Sequence, residues 1–305
     1  MQHTVSFANT WLIAVDGARR RIPGYAALLI AVATLAASLL GGAAAYRALP
    51  DLVTAFGAGE LGPILDRLAL YGCSLGLLVI VAVAAMAYEA RAPIGTRRRA
   101  APAALVGLAV GVLGFLAATG VAAALGAVRP GAGGTGAGGT GLDHRLSGLA
   151  IGAVLILIQA GAEELFFRGW LQPLLGARWG AWIGLGVTAV LFGAAHVVAG
   201  PISPVAVIND ILAGAVFGLL ALRSGGLVAP ILGHWGWNWS EQSLLGLTPN
   251  PGVDPLGSLF DLDLTGPPLL SGGADEMNGS LAATAALLAL LAITALWRSR
   301  LVARG

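Results

Sequence analysis

Apolar residues run along the chain in blocks of about 20, without the alternation that a half-buried strand or a membrane β-barrel requires. The blocks fall near 25–45, 68–88, 103–128, 146–166, 180–199, 205–222, 227–246 and 280–297, each long enough to cross roughly 30 Å of hydrocarbon. The pattern predicts an all-α, polytopic transmembrane bundle of about eight spans. Five segments follow from it. They are an N-terminal stretch (1–24), three spans ending in a glycine-rich linker (25–145), a four-helix core (146–246), a loop rich in proline and acids (247–279), and a last span with a basic tail (280–305). No repeat of 20–50 residues and no matched pair of helix breaks interrupts the series.

Composition strengthens this reading. Apolar residues make up 57% of the chain and charged residues 10%, with a mean hydropathy of +0.84. That is too little charge to coat a water-soluble surface, so a soluble enzyme and a disordered chain are both excluded. The net charge of +2 rests on seventeen arginines and no lysine, in short groups beside apolar segments, and makes no case for nucleic-acid binding. The lysine-free, alanine- and glycine-rich composition points to a GC-rich, bacterial coding bias. The single cysteine, Cys73, excludes an intrachain disulfide and a cysteine pair for zinc.

The arginines also orient the spans. Thirteen fall in the segments holding both termini, 89–102, Arg168 with Arg178, and Arg223, whereas Arg47, Arg67, Arg129 and Arg145 stand on the other side. The positive-inside rule therefore puts both termini in the cytoplasm. The first apolar run exceeds the usual core of a signal peptide, so it reads as an uncleaved anchor in a bacterial plasma membrane.

Spans one, two, three and eight carry almost nothing ionisable, while spans four to seven do, and intramembrane ionisable groups are functional candidates. Span four ends GAEELFFRGW with Glu163, Glu164 and Arg168, span five ends FGAAHVV with Phe192 and His196, and span seven holds GHWGWNWS with His234 and Asn238. Glu164 and Arg168 are one helical turn apart and can pair. Glu163 is rotated about 100° away and must face something else. His234 and Asn238 share a face, as do Phe192 and His196. His3 and His144 read as solvated loop residues, and at least one of Trp235, Trp237 and Trp239 as an interfacial anchor. Taken singly, these groups are also what a solvated helix end or interhelical hydrogen bonding provides. Their convergence on consecutive helices favours a site.

The ordered pattern EExxxR (Glu163–Arg168), FxxxH (Phe192–His196) and HxxxN (His234–Asn238) resembles the three motifs of the CAAX-protease and bacteriocin-processing (CPBP, or Abi) family. That family comprises intramembrane endopeptidases related to the Ras-converting enzyme. Order, spacing and membrane placement match over roughly 155–240, and Gly214 and Gly218 fall within the same stretch. The resemblance implies hydrolysis of a peptide bond in a membrane-associated protein or peptide. Glu163 would activate water, with His196 positioning it. His234 and Asn238 would stabilise the oxyanion, and Arg168 would hold Glu164. The family has been described both as metalloprotease and as glutamate-dependent without metal. Glu163, His196 and His234 would be the ligands of a zinc ion, but no local HExxH motif is present. Hydrolysis without metal is the preferred of the two.

Glu163 and His196 fall near opposite ends of their spans when depths are counted at 1.5 Å per residue. A shared site requires helix four to continue past 166 and helix five to begin near 188, with 168–180 projecting as helix on the cytoplasmic side. The site would then open to the cytoplasm. Two other readings use the same residues: a proton-coupled transporter with a Glu163, His196, His234 and Asp210 relay, and a non-catalytic membrane scaffold. Bis-histidine haem ligation would leave Glu163 and Asn238 idle.

Overall fold

The computed structural model describes residues 22–56, 62–89, 100–131, 141–199, 203–247 and 257–297. His3, the arginines at 19–21 and 91–99, most of the glycine-rich linker and the basic tail lie outside the described residues.

The apolar blocks all become helix. These are α1 (Gly24–Phe56), α2 (Gly62–Tyr88), α3 (Ala100–Ala124), α4 (Leu142–Glu164), α5 (Gln172–Trp179), α6 (Ala181–Ala199), α7 (Pro204–Ser224), α8 (Val228–Trp239), the short α9 (Pro268–Ser271) and α10 (Leu281–Leu296). His144 thus lies in the first turn of α4 rather than in a loop. Large apolar side chains such as Leu29, Ile80, Leu105, Leu113 and Leu296 face outward, while Glu164, Arg168, Gln172, Asn209 and Glu241 are buried. Apolar outside and polar inside is the arrangement a bilayer favours.

Among the described residues six helices are long and apolar enough to cross a membrane, not eight. The two expected spans that fall short are α6, whose apolar part is Ala181–Val197, and α8, which has 12 residues. Helix α8 is enclosed by protein and so need not match the bilayer. It packs along α3 so closely that a Cβ on Gly107 or Gly111 would overlap the carbonyls of Ala229 and Gly233. Small residues permit this approach between buried helices. Of the three tryptophans of α8, Trp237 is buried and Trp235 and Trp239 are half-buried. Trp237 meets Phe115 edge-on at 5.2 Å, and the indole N–H groups of Trp235 and Trp239 donate to the Ala153 and Leu149 carbonyls of α4.

Helix four does continue past 166. A π-helical segment, Leu165–Leu171, joins α4 to α5 without a break. The extension does not project, because Phe166–Gly176 are all buried and form a core with Ala27 and Ala31 of α1 and Leu78, Ala82 and Met86 of α2. Helix α6 begins at Ala181, not near 188. Gly180, at φ +100°, makes the reversal, and Gly184 then lies against the backbone of Gly176 and Gln172. This antiparallel register returns Phe192 to the level of Arg168 and His196 to the level of Glu164. The hairpin, rather than a late start of α6, brings the two motifs together.

The 247–279 region is more than a loop. Its described part forms β2 (Leu262–Leu264), antiparallel to β1 (Val128–Pro130) with Arg129 opposite Asp263, then α9 and a 3-10 segment, Gly273–Gly279. Asp275 in that segment accepts the Ser203 N–H at 2.7 Å and so ties it to the start of α7.

Candidate active site

Glu164 and Arg168 lie on one face of the motif helix, as their spacing predicts. Arg168 Nη1 donates to Glu164 Oε1 at 2.6 Å, and both side chains are 0% exposed. The second guanidinium arm donates to the Gly214 carbonyl at 2.8 Å, linking the π-helical segment after α4 to α7. The guanidinium carbon lies 4.7 Å from the Phe192 ring centre and 5.6 Å from those of Phe167 and Phe217, a cage that replaces lost hydration with cation–π attraction. One turn on, Gln172 donates to the Gly218 carbonyl at 3.0 Å. Gly214 and Gly218 therefore expose two carbonyls to the motif helix. Removing one partner of a buried ion pair costs about 3–5 kcal/mol. Arg168→Met should lower the thermal midpoint and yield accordingly; an unchanged midpoint would show the pair to be dispensable.

Glu164 also accepts from His234 Nδ1 at 3.0 Å. The imidazole stacks on Phe217 at 4.8 Å and 17°, with Phe192 edge-on at 5.7 Å. Glu164 thus fixes both Arg168 and the orientation of His234, leaving Nε2 as the ring nitrogen outside that bond. His196 is held similarly: its Nδ1 donates to the Phe192 carbonyl at 2.8 Å, so the neutral ring keeps its lone pair on Nε2.

A cavity of about 60 Å³ lies among these groups, room for a few water-sized groups. His196, His234 and Asn238 all line it, with Phe192, Gln159, Asp210 and Glu241. Glu163 is not itself in the wall. It sits 8% exposed behind Gln159, whose amide approaches Glu163 Oε1 at 3.4 Å, a long and weak contact. Glu163 nonetheless lies within electrostatic reach of His196, Asp210 and Arg168. The structure therefore gathers His196, His234 and Asn238 around one space, sets Glu163 beside it, and places Glu164 and Arg168 behind.

Among the described residues no three His, Cys, Asp or Glu side chains are grouped to hold a metal. Glu163 stands outside the wall that His196 and His234 share, so these three are not gathered as a zinc ligand set here.

The cavity lies toward one end of the bundle. Asp210 and Leu287 line it and stand six residues from the starts of α7 and α10, about 9 Å at 1.5 Å per residue. That end also carries the start of α4 and the end of α6, and it is the arginine-poor one. The expected cytoplasmic opening and the arginine-based orientation therefore disagree, because the cavity is displaced away from the arginine-rich end.

In the sequence Asp210 stands only as one member of a candidate proton relay, and Glu241 has no motif around it. Glu241 lies in a second π-helical segment, Ser240–Leu244, a local geometry with no signal in the residue pattern.

No curated protein and no solved structure matches the chain. Residues 145–240, from the first turn of α4 to the π segment after α8, match the family model described as type II CAAX prenyl endopeptidase Rce1-like, and this stretch holds all three motifs.

Proposed function

We propose that the protein is an intramembrane endopeptidase that cleaves a peptide bond of a membrane-associated protein or peptide by direct attack of water. The observation that carries this reading is the convergence of His196, His234 and Asn238 on one cavity with Glu163 beside it, inside a segment that matches a CAAX endopeptidase family. Glu163, turning from its weak contact with Gln159, takes a proton from a water that His196 Nε2 helps to hold. The hydroxide attacks the carbonyl carbon, and the oxyanion is met by the Asn238 amide and by His234, which donates through Nε2 when its ring is protonated beside Glu164. Glu163 then returns the proton to the leaving amine. A proton relay would use the carboxylates and imidazoles equally well, but it assigns nothing to Asn238.

The test is reconstitution in liposomes with a membrane-anchored peptide, prenylated and unprenylated, followed by mass spectrometry of the products in ¹⁸O-labelled water. Cleavage with one ¹⁸O in the new carboxylate supports the reading. Absence of any product from a folded protein overturns it.

The arginine asymmetry favours a cavity toward the non-cytoplasmic face. In a Cys73→Ser background, Phe260→Cys, 52% exposed beside β2, should react with an impermeant maleimide added to intact cells, and Arg97→Cys should not. Labelling at 97 alone would reverse the topology.

A further inference from the structure

The cavity has an acidic wall that the hydrolytic residues leave unused. Asp210 of α7 and Glu241 of the second π segment both line it, at 9% and 1% exposure. Asp210 Oδ2 and Glu241 Oε1 are enclosed without a hydrogen-bond partner, and the two carboxylates lie within electrostatic reach of one another. Gln242 and Asn278 extend the same wall. The wall is rigidly held, because Asn209 donates to the carbonyls of Asn278 (2.7 Å) and Ser280 (3.0 Å) and accepts from the Thr284 hydroxyl at 2.7 Å. His196 lies within electrostatic reach of Asp210, yet its Nδ1 bond goes to the Phe192 carbonyl.

A buried carboxylate is costly unless a cation or a donor meets it, so two on one small cavity define the chemistry of what enters. A divalent metal is a poor candidate, since no trio of ligating side chains is grouped among the described residues. A guanidinium or ammonium group demands less. It offers several N–H donors at once, enough for both carboxylates and the amide oxygens beside them, and its head fits about 60 Å³.

We propose that Asp210 and Glu241 form a subsite for a basic side chain of the peptide substrate, so that cleavage is selective for arginine or lysine near the scissile bond. This rests on the endopeptidase reading for its use, though not for the binding itself.

The experiment compares kcat/KM for membrane-anchored peptides identical except for arginine or its neutral isostere citrulline at each position flanking the cleaved bond. The full-length wild-type protein should prefer arginine at one position by roughly 30-fold or more, the loss expected when one side of a buried charge pair is removed. Glu241→Gln and Asp210→Asn should each bring that ratio toward one. Equal rates for arginine and citrulline at every position in the wild type overturn the proposal without recourse to a variant. So does an arginine preference that both folded variants retain. If the wild type cleaves no peptide, the endopeptidase reading fails separately, and the subsite is read by calorimetric titration with butylguanidinium. Saturable binding that Glu241→Gln weakens by a similar factor supports the subsite; no saturable heat overturns it.

Discussion

Replacing Glu163 by glutamine is expected to lower turnover by about 10²–10⁴-fold, the usual contribution of a positioned general base, with little change in stability. The side chain is buried, but the hydrogen bond it accepts from Gln159 is long at 3.4 Å, and glutamine keeps its shape. Glu164→Gln should behave differently although it alters the neighbouring residue in the same way. Glu164 accepts from both Arg168 and His234, so the amide leaves a fully enclosed guanidinium without its counter-charge and loosens the imidazole. The expected result there is reduced yield and thermal midpoint, with lost activity following from lost structure. Single-turnover rates and melting curves on both variants separate the cases. Full activity in Glu163→Gln would end the glutamate-activated-water mechanism.

The contrast between the two glutamates was readable from spacing alone, because a helix turns about 100° per residue and Arg168 is one turn from Glu164. The helical regions were equally readable, since uninterrupted apolar runs have few alternatives in a membrane. What the residue pattern did not carry was depth. Whether α8 crosses the bilayer depends on how closely Gly107 and Gly111 let it lie inside the bundle, which is a property of a partner helix. The approach of the Glu163 helix to the helix carrying His196 depends on where the chain reverses. Gly180 sets that point, and the π segment at 165–171 keeps the helix running up to it. The displacement of the cavity toward the arginine-poor end follows from the same register. Asp210 was visible only as one member of a relay, and Glu241 had no motif around it. Their common role arises from a cavity shared by α7 and the segment after α8.

Asn238→Ala should lower kcat by roughly 10²–10³-fold while leaving substrate binding nearly intact, as loss of one oxyanion donor does. Asn238 lines the cavity one turn beyond His234 on α8, so both can address a single oxygen. They are not equivalent donors. The asparagine amide donates as it stands, whereas His234, with Nδ1 turned to Glu164, donates from Nε2 only when the ring carries a second proton. The orientation of His234 thus depends on Glu164, the residue that also anchors Arg168. The double change with His234→Ala should then cost less than the sum of the single changes, because the two act on one charge. A zinc centre predicts another pattern, in which His234→Ala removes bound metal and Asn238→Ala does not. Metal content and kcat measured on both single variants distinguish them, and full turnover in Asn238→Ala would leave this residue a helix-packing amide with no part in the chemistry.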